Sequence, residues 1–273
     1  MTFAYLAGFS ERWRSFQKAV FPVGSFALVV LAGCFMCMGC SSLKVAPAPD
    51  SGYIPHPEEM APWPQRAAFA QRIWFKDKAK FYATRTRFTK ICFSPTRTDF
   101  LRSPGWWDKL NSAGQKNYQN DTQTMAKYMD DTLRKVFRND PSNRFEVVEC
   151  PDKNTIVYEF AIVELRPTKV AINLGGTVLG FVRTGAGLVT AVAGSKGSMA
   201  IEVTVRDGRD NALLISWADR RVDRLSLFSF RDFVKYAHAR RAVQEWADEV
   251  LMDWNTPDTV VIAKPPIITV NPF

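Results

Sequence analysis

Histidine is scarce in this sequence: only His56 and His238 occur among its 273 residues. After residue 40 the only cysteines are Cys92 and Cys150. A structural zinc or iron–sulfur centre needs four nitrogen or sulfur donors close together. The sequence therefore argues against a metal site, and we expect no cofactor.

Catalytic motifs are lacking as well. No GxSxG nucleophile turn accompanies either histidine. The closest approach to a phosphate-binding loop, Gly194–Gly197, lacks the Gly-Lys-Ser/Thr order that such a loop requires. His238 falls on a predicted helix among basic residues, which predicts a solvated face, and the charged run Asp219–Arg224 predicts surface ion pairs. The sequence favours a protein that is not an enzyme, and leaves an enzyme open.

The first 39 residues have the layout of an export signal. Basic residues up to Lys18 precede an apolar stretch, Ala19 to Gly39, that carries no charge. Such a stretch partitions into the membrane while the basic flank stays in the cytoplasm. An uncleaved membrane anchor is the alternative, because the stretch approaches the roughly 20 residues that span a bilayer.

Two tetrapeptides, LAGC and CMGC, resemble the lipobox of bacterial lipoproteins and end at Cys34 and Cys40. Cleavage before Cys34 would leave an apolar start, whereas cleavage before Cys40 leaves a polar one. We therefore predict Cys40 as the lipidated residue, with Cys34 as the alternative. Ser41, rather than Asp, follows Cys40, as in lipoproteins sorted to the outer membrane of diderm bacteria. The predicted location is the periplasm, on a lipid anchor in that membrane.

Proline divides the rest of the chain. Six prolines between residues 41 and 65 predict an extended tether, 40–68, because proline fixes φ and removes a donor. A folded domain at 69–254 and a proline-rich tail at 255–273 follow. The net charge of +9 suits anionic lipid headgroups, cell-wall polymers or an acidic envelope protein in an exported chain. We expect no nucleic-acid partner.

The pattern of residues 69–254 predicts an α+β fold. Its order is β-α-β-β-insertion-β-β-α, which favours a mixed or antiparallel sheet of about five strands with two main helices on one face. The predicted strands are Phe88–Phe93, Phe145–Val148, Thr155–Leu165, Met199–Arg206 and Ala212–Ala218, and the predicted helices are Gln115–Arg138 and Asp232–Trp254.

Two surface features are candidates for partner binding. The Trp106-Trp107 loop could stack on a sugar, dock a partner or cap the core. The glycine-rich insertion, Leu174 to Gly197, suits a small-residue segment packed on the sheet, a membrane-dipping hairpin or a contact between copies in a homo-oligomer.

Within that insertion Gly176 and Gly180 form a GxxxG close to Arg183. Cys92 and Cys150 either pair as a disulfide or stay free, and the sequence does not choose between these states.

The run from IVELRPTKVAINLGG through SMAIEVTVRDGRDNALLISWADRRVDRL, with QEWADEV in the last helix, resembles the bacterial envelope lipoproteins of an uncharacterised family, domain of unknown function 3313. The resemblance covers roughly residues 70 to 254. It implies a lipid-anchored periplasmic domain and supplies no activity and no catalytic residues. We therefore expect a non-enzymatic binding or assembly component of the envelope. The alternatives are an envelope hydrolase or glycan-binding protein that uses the Trp106-Trp107 loop, and an oligomeric subunit of an envelope complex.

Overall fold

A computed structural model describes residues 45–47, 50–63, 70–105, 107–167, 197–222, 236–257 and 259–262, all within one compact unit. In these ranges the chain forms six strands and three α-helices, so the predicted α+β class is confirmed with one more strand and one more helix than expected. The elements are β1 (Arg72–Phe75), α1 (Lys78–Thr84), β2 (Lys90–Phe93), α2 (Ser112–Arg138), β3 (Glu146–Val147), β4 (Thr155–Arg166), β5 (Ser198–Asp207), β6 (Leu213–Val222) and α3 (Ala237–Asn255).

The strands form one mixed sheet in the order β1-β6-β5-β4-β2-β3. The long strands β4, β5 and β6 are antiparallel neighbours, whereas β2 runs parallel to both β4 and β3. Strand β1 adds an antiparallel edge to β6. The three long strands are buried over most of their length, which explains their dense run of apolar and β-branched residues.

The hairpin predicted between β5 and β6 is present. Its turn is closed by the Asp207 amide, which donates to the Ala212 carbonyl at 3.0 Å, and Asn211 adopts a left-handed φ of 59°. Gly208 is required by a close approach, because a Cβ there would lie 2.6 Å from the Asp152 carbonyl oxygen. The turn is therefore packed against the start of β4.

Helices α2 and α3 cover one face of the sheet and pack against each other. Asn111 caps α2, since its side chain accepts a hydrogen bond from the Gly114 amide at 2.8 Å. Buried residues recur every three or four positions along both helices; they include Met125, Met129, Leu133 and Phe137 of α2 and Val243, Trp246, Val250 and Trp254 of α3. None of the helices in the described ranges has the length and hydropathy needed to cross a bilayer.

One end of the sheet gathers several chain segments, and we call it the Arg166 end. Strand β4 ends there at Arg166 and β5 begins there at Ser198, which pairs with both Arg166 and Val222. The chain after β2 runs alongside β4 towards the same end, where the Arg102 amide donates to the Val163 carbonyl at 3.1 Å. This arrangement brings the loop that follows Arg102 next to the last residues of β4.

Candidate functional site

An N-terminal segment, residues 45–47 and 50–63, lies on the sheet face opposite the helices. The amide and hydroxyl of Ser51 both donate to the Glu202 carboxylate, at 3.1 and 2.7 Å, and Asp50 pairs with Arg72 at 2.6 Å. Ala61 pairs with Ile73 of β1. The extended tether predicted over 40–68 is thus bonded to the domain along the part of it that the structure describes.

Small residues on that face leave room for the segment. Ala161, Val163 and Ala200 form a buried apolar cluster against which Tyr53 and Phe100 pack. The Tyr53 and Phe100 rings meet edge to face with centroids 5.0 Å apart. Because larger side chains at the alanines would push these rings away, the sequence of β4 and β5 itself provides the seat for the N-terminal segment.

Polar side chains beside this cluster bond to one another. Glu159 accepts from Thr204 and from Arg206, each at 2.8 Å. The Tyr53 hydroxyl donates to the Glu159 carbonyl at 3.0 Å and lies 3.1 Å from the Thr204 hydroxyl. Burial raises the pKa of Tyr53. The group thus has a structural explanation, since each charge faces a partner.

The N-terminal segment begins at the Arg166 end. Gln71 donates through its side-chain amide to the Val45 carbonyl at 3.0 Å, and Arg220 donates to the Ala46 carbonyl at 3.4 Å. The same Arg220 guanidinium contacts the Glu164 carboxylate at 2.9 Å. One arginine therefore joins the start of this segment to the last residues of β4.

A cleft of about 210 Å³ opens at this position. Its floor includes the buried Tyr118 of α2, whose hydroxyl donates to the Leu165 carbonyl at 2.8 Å and whose pKa is raised by burial. Its rim carries exposed Arg102 and Arg166. The residues that line it are Arg102, Ser103, Pro104, Tyr118, Glu164, Leu165 and Arg166.

The charge around the cleft is positive. Arg102 and Arg166 line the cleft together with one carboxylate, that of Glu164. This carboxylate accepts from Arg220 and from the Ser198 hydroxyl. Arg166 lies 3.8 Å from Glu164 and its side chain is 50% exposed. Arg102 has no ion pair with any residue in the described ranges. An anion is the ligand that such a cleft would accept.

The predicted tryptophan loop adjoins this cleft. Trp107 is half-buried and its ring meets the Tyr118 ring with centroids 5.7 Å apart, so it packs on the cleft floor. Six further predicted sites lie outside the described residues, namely Cys34, Cys40, Trp106, Gly176, Gly180 and Arg183. Sequence reasoning missed Glu164 and Arg166; their only signal was a polar pair at the end of an apolar strand, directly before Pro167.

The charged run Asp219–Arg224 is described as far as Val222, where β6 ends, and two of its residues are largely buried rather than on the surface. Arg221 is 11% exposed and bonds to Asp219 at 3.0 Å, to Glu245 at 2.6 Å and to Glu249. The Trp246 indole also donates to Asp219 at 2.8 Å. Burial raises the pKa of Glu249 to about 7. The expectation of surface ion pairs is wrong for Asp219 and Arg221, because α3 brings two carboxylates over the strand.

His238 is buried, so its predicted place on a solvated face is wrong. Its ring fills the space where Gly197 would carry a side chain, since a Cβ there would lie 2.2 Å from the ring. Burial lowers the pKa of His238 to about 4, and the ring bonds to the backbone of Arg166 and Ser198. The neutral imidazole therefore holds together the two strand ends between which the glycine-rich insertion starts and returns.

The two cysteines are free thiols in this structure. Cys92 is buried with its Sγ 3.5 Å from the Glu149 carbonyl oxygen, and Cys150 is exposed. Burial raises the pKa of Cys92. Of the two states that the sequence leaves open, the structure has the unpaired one.

One group of possible metal ligands occurs in the described ranges, formed by His56, Glu58 and Glu59. The three residues are exposed, and two of them have structural contacts: His56 stacks on Trp74 with centroids 5.5 Å apart, and the Trp74 indole donates to Glu59 at 2.6 Å. These contacts attach the N-terminal segment to the outer face of β1.

Solved structures that match part of this chain include the PelC dodecamer from Paraburkholderia phytofirmans, at 13% identity over 60% of this chain and 89% of that one with a TM-score of 0.28. A variant of that dodecamer with one leucine replaced by methionine matches at the same identity and TM-score, over 59% and 88%. The hypothetical protein CT253 from Chlamydia trachomatis matches at 8% identity over 60% and 95%, with a TM-score of 0.31.

No curated protein sequence is significantly similar to this chain. The model of the family described as "Protein of unknown function (DUF3313)" matches residues 64–250, which contain the whole sheet, α2 and most of α3. The chain belongs to this family.

Proposed function

We propose that this protein is a lipoprotein anchored through Cys40 to the periplasmic side of a diderm outer membrane, and that its domain is a non-enzymatic binding or assembly component of the envelope. The observation that carries the proposal is the short distance in sequence between Cys40 and Val45, where the chain is already bonded to the domain. A lipid on Cys40 would attach a folded surface to the membrane.

The leader supports export, because a basic flank, an apolar stretch and a lipobox-like CMGC follow one another over residues 12–40. The charged clusters support a non-enzymatic role. Glu159 is bonded to Thr204 and Arg206, and the carboxylates around Arg221 are bonded to that arginine. Their bonds within the fold give these groups a structural role.

Radiolabelled palmitate tests the proposal. We expect the label in the full chain and in Cys34→Ala and Cys37→Ala, but not in Cys40→Ala, because only the cysteine after the cleavage site is acylated. Intact mass should show the loss of residues 1–39. Label that persists in Cys40→Ala and vanishes in Cys34→Ala would move the anchor to Cys34, and no label in any form would contradict the proposal.

Glycan binding is the second candidate function. The half-buried Trp107 packs against Tyr118 of the cleft floor, which places an aromatic ring of the kind that sugar rings stack on beside the polar cleft. Titration with soluble cell-wall glycan fragments tests it: binding that Trp107→Ala weakens at least tenfold would support it. The absence of binding at millimolar concentrations of the glycan fragments would exclude glycan binding at this cleft. Assembly into a homo-oligomer through residues 174–197 stays a prediction.

A further inference from the structure

We infer that the cleft at the Arg166 end binds the phosphate of an anionic lipid headgroup in the membrane that holds the chain's own N-terminus. The inference rests on the proposed function, since it takes Cys40 as the anchor. Two observations carry it. The first is where the N-terminal segment joins the domain, and the second is the unbalanced positive charge at that place.

The cleft lies near the membrane because the chain between Cys40 and the domain is short. Four residues lie between Cys40 and Val45, so their Cα atoms are five steps and at most about 18 Å apart at full extension. The Val45 carbonyl is fixed by Gln71, and the next carbonyl, that of Ala46, is fixed by Arg220. Arg220 in turn bonds to Glu164 in the cleft wall. A lipid on Cys40 therefore keeps the cleft within reach of the headgroup layer.

The unbalanced positive charge of the cleft follows from the ion pairs that its residues make. Glu164 is already occupied by Arg220 and Ser198, and its contact with Arg166 is long at 3.8 Å. Arg102 makes no ion pair with any residue that the structure describes. Two exposed guanidinium groups are thus available to phosphate oxygens, which arginine binds through paired N–H groups.

The opposite end of the sheet lacks this imbalance in the described ranges. Arg87 and Arg209 both pair with Asp207, and Lys90 pairs with Asp152 at 2.8 Å. Three basic residues at that end are thus paired within the fold, whereas Lys153 is exposed and makes no ion pair with a described residue. An anionic membrane surface would therefore attract the Arg166 end more strongly, and electrostatics and the anchor favour the same orientation.

The size of the cleft limits which anions can bind in it. Its volume of about 210 Å³ is below the roughly 300 Å³ at which pockets for drug-sized ligands begin. A phosphodiester headgroup is small enough for such a space. The cleft is also open to solvent at its arginine rim, so a lipid could present its headgroup without leaving the bilayer.

The test uses the processed, lipidated full chain in neutral detergent, titrated with dihexanoyl phosphatidylglycerol, with dihexanoyl phosphatidylcholine and with inorganic phosphate. Binding is read as a rise in the thermal midpoint. We expect phosphatidylglycerol to raise the midpoint and phosphatidylcholine to have little effect. Because each basic residue near an anionic surface contributes roughly a factor of five, Arg102→Gln/Arg166→Gln should weaken the apparent affinity about 25-fold.

The matched control is Lys153→Gln/Arg209→Gln, which removes two exposed positive charges from the opposite end of the sheet. It should bind phosphatidylglycerol as the wild type does. Equal weakening in both double variants would overturn the inference in favour of a general charge effect. An equal response to inorganic phosphate would overturn the lipid source. Palmitate labelling of the same sample reports on the anchor separately, so failure of headgroup binding in a labelled chain leaves the proposed function intact.

Discussion

Ser51 donates two hydrogen bonds to the carboxylate of Glu202, a residue that follows it by 151 positions in the chain and is 1% exposed. This contact fastens the N-terminal segment across the centre of the sheet. It also provides the buried carboxylate with partners that no other described residue supplies. The segment is therefore part of the folded domain.

Ser51→Ala should lower the free energy of unfolding by about 2 kcal/mol, because it removes a hydrogen bond to a buried charged group. Urea unfolding followed by tryptophan fluorescence measures the change. The control is Ser103→Ala, at an exposed serine of the cleft rim, which should change the stability by less than about 0.5 kcal/mol. Equal stability of Ser51→Ala and wild type would mean that the segment is not held through Glu202.

Glu249 predicts a loss of stability at rising pH. Its pKa rises from 4.5 to about 7 on folding, chiefly through burial. The stabilising contribution of the protonated form is thus fully present below about pH 4.5 and is lost as the pH rises through 7. Glu249→Gln should remove this dependence, so the wild type should lose on the order of 2 kcal/mol relative to the variant between pH 5 and 8.

Chemical denaturation at a series of pH values gives that comparison. Arg221, Asp219 and Glu245 face the same carboxyl group and remain in both proteins. Their contribution therefore cancels in the difference. Parallel stability curves for wild type and Glu249→Gln would show that Glu249 is ionised throughout.

The lowered pKa of His238 predicts a pH dependence of stability opposite to that of Glu249. Its pKa falls from 6.5 to about 4 on folding because burial disfavours the imidazolium. Its contribution to stability is present above pH 6.5 and is lost as the pH falls towards 4. Proton NMR of the ring Cε1–H resolves this, since the chain has only two histidines and His56→Gln assigns the remaining signal. A midpoint near 6.5 for His238 would contradict the buried site.

Gly197→Ala should lower the free energy of unfolding by roughly 2 to 3 kcal/mol, because its Cβ would collide with the His238 ring and force it to move. Gly105→Ala is the matched control, since nothing lies within 4 Å of a Cβ there. In the double variant with His238→Ala the cost of Gly197→Ala should largely disappear. Thermal or urea unfolding of the four proteins completes the cycle.

The different burial of the two thiols predicts different rates of reaction with a disulfide reagent. In the processed chain without residues 1–39, Cys150 should react with a disulfide reagent within seconds, and Cys92 only after unfolding, because Cys92 is buried and its pKa is raised. Cys150→Ser should abolish the fast phase. A folded protein with no reactive thiol, whose thiols appear only after reduction, would indicate the disulfide instead.

Local pattern was enough to predict most of the sheet and both long helices. Strands β4, β5 and β6 alternate or run apolar over ten residues or more, and α2 repeats its apolar positions over seven turns. Strand β1 was missed because its four residues, next to a proline-rich stretch, carry too short a signal. Its position is set by pairing with β6 from a distant part of the chain.

The candidate site was harder to predict for the same physical reason. His238 stands among basic residues in sequence, and only the missing side chain of Gly197, 41 positions earlier, allows it to be buried. Arg102 and Arg166 meet because the chain after β2 follows β4 to its end. Polar residues on β5, such as Glu202, are typical of a solvent-facing strand side until another segment covers them.

Because the N-terminal segment covers one face of the sheet, it determines where a recombinant fragment of such a protein should begin. A recombinant fragment trimmed to the matched range, 64–250, would lack Ser51 and Tyr53 and leave a carboxylate and an alanine patch bare. It would also be truncated before Trp254, whose indole donates to the Tyr158 hydroxyl in the core at 2.8 Å. Such a fragment would aggregate for reasons unrelated to its biology, so expression should start no later than Val45 and continue at least to Asn255.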